Sequence, residues 1–366
     1  MITFIALSGF LGAGKTTTLV AAARHLQEQG KRVAVVTNDQ GTELVDTKLV
    51  RSSLDSVAEV TGGCFCCRFE DLIEVVEELI AGGDVDVVIA EAVGSCTDLQ
   101  ATVVRPLRKF YGDQFVVAPL ATVVDPMRLR AFTRAAERGE PESDLSYLFS
   151  QQLRESDVLA VNKIDLIGQE DQDGIIGDLR RAYPEATVIG YSAKTGTGLT
   201  DLLHAWEQPA SWAADLDIDY DRYAAAEAQL AWLNQEFVID GDGAGFSPHL
   251  WASSLLTHLA ENMQAAGAEI GHAKLTVDSD GELTKMSITG SGTTPSVDLT
   301  AAGSPTTATA TVNARVACEP AVLDRAVLDA VAHADSIAGT RSRAAEANSF
   351  KPGYPRPIHR LAAADV

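Results

Sequence analysis

The sequence predicts an α/β fold, a mostly parallel sheet flanked by helices, followed by a smaller α+β domain. Three observations carry this expectation. Over residues 1–208, short apolar runs alternate with stretches of helical periodicity, as strand–helix–strand units require. The runs at 2–7, 32–37, 86–90, 116–124, 158–161 and 187–191 are nearly continuous in Val, Ile, Leu and Ala, the composition of strands buried on both faces. After Pro209 the pattern changes to Trp212 and spaced Asp residues without a period.

The first run leads into Gly9-Phe10-Leu11-Gly12-Ala13-Gly14-Lys15-Thr16-Thr17, and a helical stretch follows over 17–29. Strand, glycine loop and helix are the context in which G-x-x-x-x-G-K-[ST] binds phosphate. Gly9, Gly12 and Gly14 permit backbone N–H groups, including that of Ala13, to converge on one anion. The positive end of the helix dipole adds to the attraction. Lys15 is placed to reach the β- and γ-phosphates and the Thr16 hydroxyl to hold Mg²⁺. The fold class is therefore that of a P-loop NTPase, with functional residues just past the carboxyl ends of the strands.

Asn162-Lys163-Ile164-Asp165 follows the run at 158–161. A carboxylate there accepts hydrogen bonds from guanine N1 and the exocyclic amino group, donors that adenine lacks, so adenine would leave buried polar groups unpaired. Lys163 would lay its stem along the base, and Ser192-Ala193-Lys194 would supply an N–H to guanine O6. The nucleotide is read as GTP/GDP. Glu91 and Gly94 follow the run at 86–90, where an acid supports Mg²⁺ and a glycine N–H meets the γ-phosphate. Asn38 to Asp46 is the natural first switch loop, with Asp39 or Asp46 facing the metal ion or the attacking water. Such loops order on γ-phosphate and relax on hydrolysis.

Five cysteines are present, three of them in Cys64-Phe65-Cys66-Cys67. Spacing this tight is a poor disulfide framework and a good thiolate site in a reducing compartment, which with Met1 leading straight into a strand predicts a cytoplasmic protein. Cys64, Cys66 and Cys67 can converge on Zn²⁺ or Cu(I), with affinity falling at low pH as the thiols protonate. Cys96, Glu43 and Asp39 are alternative fourth ligands, and an ordinary buried residue is the competing reading of Cys96. The seven histidines have no ligand spacing. A net charge of −22 argues against nucleic acid, and the longest apolar run, 115–124, is half a membrane span and is interrupted by Pro119.

Residues 209–226 are read as a linker. In the second domain, 227–340, strands are expected at 230–239, 273–277, 285–289 and 307–316, the second and third joined through the hairpin signal Asp280-Gly281. Helices are expected at 248–267, with Leu255, Leu256, Leu259 and Met263 on one face, and at 320–334, with Pro at the first turn. The alternation of 307–316 predicts a half-exposed strand, 290–305 reads as a loop, and 341–366 as an extended tail.

Together, Gly9 to Thr17, Gly63-Cys64-Phe65-Cys66-Cys67, Glu91-x-x-Gly94 and Asn162-Lys163-x-Asp165 resemble the CobW family of P-loop GTPases, relatives of the urease and hydrogenase nickel-insertion GTPases. The resemblance covers roughly 1–208. It implies GTP hydrolysis coupled to delivery of Zn²⁺, Co²⁺ or another transition metal to a client metalloprotein. The C-x-C-C thiolates are then the metal site and Mg²⁺ sits beside the nucleotide. It implies catalytic roles around Lys15, Thr16, Glu91 and Asp39 and leaves a homodimer open. Two features depart from the family. Its first switch commonly reads E-N-E-F-G-E, whereas this chain has Thr37-Asn38-Asp39-Gln40-Gly41-Thr42, and no histidine-rich stretch is present. The alternative reading is a GTP-switched chaperone of a cobalamin-dependent or other metalloenzyme, with structural cysteines and no metal transfer. A small-molecule kinase is disfavoured by the guanine motif.

Overall fold

Strands that are apolar along their whole length need cover on both faces, and the first sheet obtains it by being parallel throughout. The computed structural model describes the chain apart from residues 39–44, 46–49, 52–53, 55, 211–214, 244 and 291–292. The chain forms two units, Met1–Gln40 with Ser53–Ala226 and Tyr354–Val366, and Gly41–Ser52 with Glu227–Gly353.

In the first unit the strands are β1 (Ile2–Gly9), β2 (Val33–Asn38), β3 (Val57–Val60), β4 (Val87–Glu91), β5 (Phe115–Val117), β6 (Ala121–Val124), β7 (Val158–Val161) and β8 (Thr187–Gly190). They lie in the order β3-β2-β4-β1-β6-β7-β8, with β5 also beside β1. Every pairing is parallel. The connecting helices are α1 (Lys15–Glu28), α2 (Phe69–Ala81), α3 (Arg105–Tyr111), α4 (Pro126–Glu137), α5 (Asp144–Arg154), α6 (Gln169–Ala182) and α7 (Leu199–Trp206). All strands therefore end at one edge, where loops can carry chemistry. The run expected at 116–124 is two strands, because the chain between them carries Pro119, which cannot donate to a ladder. β3 was not expected: it has four residues, three of them only partly buried.

At the boundary α8 (Tyr220–Gln229) occupies part of the stretch read as aperiodic. The second unit then holds β9 (Ala231–Gly241), α9 (Pro248–Ala265), β10 (Ile270–Ser279), β11 (Glu282–Ile288), β12 (Ser296–Leu299), β13 (Thr307–Val316), α10 (Pro320–Ala338) and β14 (Thr340–Phe350). Its antiparallel sheet runs β12-β11-β10-β13-β9-β14. Leu255, Leu256, Leu259 and Met263 of α9 and Leu323 and Val327 of α10 pack into its core. The turn between β10 and β11 uses Asp280 and Gly281 at φ 51° and 88°, as a tight hairpin requires.

Three expectations change here. The region read as a loop contains β12, and the start of the region read as tail is the edge strand β14 against β9. The polar face of β13 is exposed at Thr307 and partly so at Thr309, but from Thr311 to Arg315 it is buried, and its side chains there meet those of β9. Thr311 meets Glu236 at 3.1 Å, Asn313 meets Asn234 at 3.0 Å, and the Arg315 guanidinium lies 4.1 Å from the Trp232 ring centre. No helix among the described residues is long and apolar enough to cross a membrane.

In the first unit a buried acid supports the turn that follows β4. Glu155, at the end of α5, accepts hydrogen bonds from the Thr97 hydroxyl at 3.1 Å and the Gln100 N–H at 3.2 Å. Burial, with the Asp98 carboxylate adding to it, pushes Glu155 up to about 8. The folded state therefore holds a proton that the unfolded chain releases above about pH 4.5. Its contribution is full below that pH and is lost as pH rises towards 8, a decline on the order of 3 kcal/mol by pH 7. Glu155→Gln has no proton to release, so chemical denaturation at pH 5 and pH 8 should show a smaller difference than in the parent. An unchanged difference would mean that Glu155 does not set the slope.

Candidate functional site

β1 delivers the glycine loop to the carboxyl edge of the sheet. Gly9 faces Val123 of β6 so closely that a Cβ would lie 2.5 Å from the Val123 carbonyl oxygen. Gly12 and Gly14 have φ of 75° and 97°, which only glycine adopts freely. Ala13 closes a turn onto the Phe10 carbonyl at 3.2 Å. Gly14 is the N-cap of α1, without a side-chain cap and without an acid in the first turn, so the positive helix end faces the loop. The Lys15 ammonium donates to the Gly9 carbonyl at 2.8 Å. Thr16, buried in the first turn, donates its hydroxyl to Glu91 Oε1 at 3.0 Å, joining the loop to the end of β4. Thr17 is exposed on the opposite face of the helix. Two oxygen donors held together at a phosphate loop are the hard-ligand set that Mg²⁺ takes. A Cβ on Gly94 would lie 3.1 Å from both Leu11 N and Lys15 Nζ, so the Gly94 backbone abuts the loop.

Of the residues read as base-specifying, Asn162 and Lys163 reach the same loop from the end of β7, and the turn after β8 joins them through Asn162. Asn162 donates to the Ala13 carbonyl at 3.0 Å and accepts from the Ala193 N–H at 3.0 Å. Lys163, held at φ 61°, donates to the Gly12 carbonyl at 2.7 Å and to Asp125 Oδ2 at 2.6 Å. Asp165 is exposed on the turn Ile164–Leu166. Ser192 is buried and accepts from the Thr195 N–H at 3.1 Å, while Lys194 is exposed beside it. The Ala193 N–H is engaged by Asn162. Sequence reasoning missed Asp125. It caps α4 through the Met127 and Arg128 N–H groups and pairs with Lys163. An Asp immediately before a Pro after a buried strand was its available signal.

The three clustered thiols occupy one turn before α2, with sulfurs within 4.8 Å of one another. The Cys64 carbonyl accepts from the Cys67 N–H at 3.0 Å and the Arg68 N–H at 2.9 Å, which closes the turn. Asn38, at the end of β2, fastens it: its amide donates to the Val60 and Gly63 carbonyls at 3.0 and 2.8 Å and accepts from the Phe65 N–H at 3.0 Å. This anchoring role also went unread. Cys64 and Cys66 are buried and Cys67 is partly exposed. The sulfurs of Cys64 and Cys66 are 2.8 Å apart and those of Cys66 and Cys67 3.7 Å. Hydrogen bonding from Cys66 holds the Cys64 thiol well below the usual range, and the same contact pushes Cys66 well above it. Hydrogen bonding to Cys64 raises Cys67 to about 11. Cys64 is thus the most acidic thiol of the group. Three soft donors on a fixed turn suit a thiophilic ion.

The terminal segment Tyr354–Val366 lies on this turn. The Arg356 N–H donates to Cys67 Sγ at 3.1 Å and the Ile358 N–H to the Cys66 carbonyl at 3.0 Å. Arg360 meets Asp98 at 2.7 Å, and the His359 ring packs edge-on against Phe69. Asp39, Glu43 and Asp46, read as switch residues or ligands, lie outside the described residues.

A family model described as "CobW/HypB/UreG, nucleotide-binding domain" matches residues 3–190. The chain is 30% identical over 213 residues to a protein of Pseudomonas aeruginosa named "Zinc chaperone CobW", an alignment covering 50% of this chain and 54% of that one. It is 28% identical over 247 residues to "Zinc-regulated GTPase metalloprotein activator 1" of Dictyostelium discoideum, covering 57% and 51% respectively. The chain thus spans about half the length of the curated relatives it matches. Among solved structures, Zn(II)-bound YjiA GTPase from E. coli aligns over 90% of this chain and 98% of its own at 15% identity, with a TM-score of 0.38.

Gly14 tests the packing of the loop. An alanine there would be strained by φ 97°, and its Cβ would sit 2.4 Å from Asn162 Nδ2. Gly30→Ala is the control, since Gly30 has φ 83° but nothing within 4 Å. Both variants should lose about 1–3 kcal/mol from backbone strain. Only Gly14→Ala should also weaken guanine-nucleotide affinity, by more than about tenfold, as Asn162 is forced off the Ala13 carbonyl. Equal affinities in a titration of the two variants would show that the contact does not matter.

Proposed function

The chain belongs to the CobW/HypB/UreG family, and from that premise we propose that it is a GTP-hydrolysing metallochaperone. Nucleotide state would govern a transition metal held at Cys64, Cys66 and Cys67 and passed to a client metalloprotein. The observation that carries this reading is the fixed turn of three thiols, in the same unit as the glycine loop and the guanine motif. Zinc is the favoured cargo, because thiolate donors suit it and two relatives are named for zinc.

In this reading the loop N–H groups around Gly12 to Thr16 receive the phosphates, and Lys15 swings from the Gly9 carbonyl to the β- and γ-oxygens. Thr17 closes the set from the first turn. Thr16 would hold Mg²⁺ directly and Glu91 through water; the bound ion would neutralise charge developing on the phosphates. Gly94 would offer its N–H to the γ-phosphate, and Asp39 would face the metal or the attacking water. Asp165 would pair with guanine N1 and its amino group, the Lys163 stem would cover the base, and the turn at Ser192, Ala193 and Lys194 would donate to O6. Asn162 keeps the loops in register.

A second reading has one observation in its favour. The Cys67 sulfur already accepts an N–H from Arg356, as a structural cysteine would. The chain would then be a GTP-switched chaperone of a metalloenzyme that transfers no metal.

Equilibrium zinc titration with a non-hydrolysable GTP analogue and Mg²⁺ separates the two. The metallochaperone reading expects binding tighter than micromolar, abolished in Cys66→Ser while nucleotide affinity is kept. Loss of both affinities together would make the cysteines structural. For base selection, Asp165→Asn should move preference from GTP towards xanthosine triphosphate, whose edge inverts the hydrogen-bonding pattern. Undiminished GTP preference in competition binding would overturn the assignment of Asp165.

A further inference from the structure

Two of the three clustered sulfurs, those of Cys64 and Cys66, are buried, so the open side of the thiol turn is the side of Cys67. That side is where the terminal segment Tyr354–Val366, a part of the same unit, lies.

The sequence of the segment suits a stiff, extended cover. In Pro355-Arg356-Pro357-Ile358 each proline fixes φ and lacks an N–H, which presets an extended backbone. In an extended chain successive groups alternate in direction, so N–H groups two residues apart face the same side. Those of Arg356 and Ile358 both face the thiol turn, donating to Cys67 Sγ at 3.1 Å and to the Cys66 carbonyl at 3.0 Å. The segment is then fastened away from the sulfurs. The His359 ring lies with its centre 5.2 Å from that of Phe69 on α2 and 5.1 Å from that of Phe110 on α3. The Arg360 guanidinium donates to Asp98 Oδ2 at 2.7 Å and to the Leu216 carbonyl at 2.6 Å. The Leu361 N–H donates to the Ala101 carbonyl at 2.9 Å.

We propose that residues 354–366 form a strap over the thiol turn, latched by Arg360 on Asp98, which must lift for an ion to reach or leave Cys64, Cys66 and Cys67. The inference rests on the metal-binding reading above and adds to it how access to the sulfurs is controlled.

The Arg356 N–H does not compete with an ion for Cys67, because a metal-bound thiolate keeps lone pairs that accept such bonds. What the strap restricts is passage. Lifting it needs no unfolding of the sheet, since its ties are a few polar bonds and one ring at the surface, the kind of contact that opens locally. The latch is the strongest of these ties. Asp98 is buried while Arg360 is half exposed, so the pair is shielded on one side and can part on the other. Asp98 also belongs to the segment that runs from Glu91 past Gly94, whose backbone abuts Lys15.

Two rates measured on the full chain test the strap. Labelling of Cys67 by iodoacetamide in the metal-free protein reports lifting without any ion, and transfer of bound zinc to excess chelator reports release. Arg360→Ala removes the charged latch and no contact to sulfur, so both rates should rise about 10–100-fold, the worth of a hydrogen bond to a charged group. Zinc uptake should quicken in step, so equilibrium affinity should change by less than the exit rate. Arg360→Lys, which keeps the charge, should stay nearer the parent. Persisting guanine-nucleotide binding reports that the variants are folded, and should Arg360→Ala not fold, His359→Ala takes its place. Labelling and zinc transfer as slow as in the parent would overturn the strap and leave the metallochaperone reading standing. Faster exit with unchanged uptake would overturn it too, because the segment would then stabilise the bound ion without gating it. A parent protein that binds no zinc would overturn both the gating of an ion and the metallochaperone reading.

Discussion

The site depends on one side-chain amide. Asn162 stands at the end of β7 and spans from the Ala13 carbonyl to the Ala193 N–H. It thereby fixes the distance between the loop that would receive phosphates and the turn that would receive a base. Both bonds are buried, so neither group can turn to water if the amide is removed, and each would carry the desolvation cost of an unmet partner. The absence of a Cβ at Gly14 is part of the same interaction, since that atom would occupy the space of the Asn162 amide. Lys163 adds a second tie, from the Gly12 carbonyl to Asp125.

The same device recurs across the sheet. Asn38 ends β2 as Asn162 ends β7, and its amide holds the cysteine turn through three backbone groups. In each case a strand buried on both faces fixes the backbone, and an amide with both donor and acceptor capacity fixes a loop that has little regular structure of its own. The departure of Thr37 and the residues after Asn38 from the family's first switch leaves this amide in place. Its anchoring function needs only Asn38 and the backbone of residues 60–65.

What was legible in the sequence was whatever is local or strongly patterned. The strands of the parallel sheet are apolar throughout, so their runs located β1, β2, β4, β7 and β8 to within a residue or two. β13 was bounded at Thr307 and Val316 by its alternation. β3 and β12 escaped because each has four residues and little buried apolar surface. β14 escaped because its sequence is polar and its place is set by pairing with β9 at the sheet edge. The thiol cluster could be read because three sulfurs fall within four residues. Thr16 and Glu91 were each read as serving Mg²⁺ from the order of motifs, and the contact between them, across 75 residues, was not itself readable. The anchoring of Asn38, the pairing of Asp125 with Lys163 and the hold of Gln152 on Gly94 and Cys96 are tertiary contacts between single polar residues. No period or spacing announces such pairs.

The location of Gln152 bears on how the glycine loop and the segment after β4 are tied together. Energetic coupling needs an element that both sites bias, and spatial closeness alone does not supply one. The segment from Glu91 to Asp98 meets that requirement in its connections. Glu91 touches Thr16, Gly94 lies against Leu11 and Lys15, and Asp98 is held by Arg360 and the Tyr220 hydroxyl. Gln152 grips the segment midway by two carbonyls at once, so Gly94 and Cys96 are constrained to move together. Asp98 sits at φ 67°, a conformation that costs a non-glycine residue energy and persists only while its surroundings hold it. Strain at one end and a glycine packed against Leu11 and Lys15 at the other are the features expected of a segment with two arrangements. A change at the nucleotide would then reach, through Arg360, the terminal segment that lies on the thiol turn.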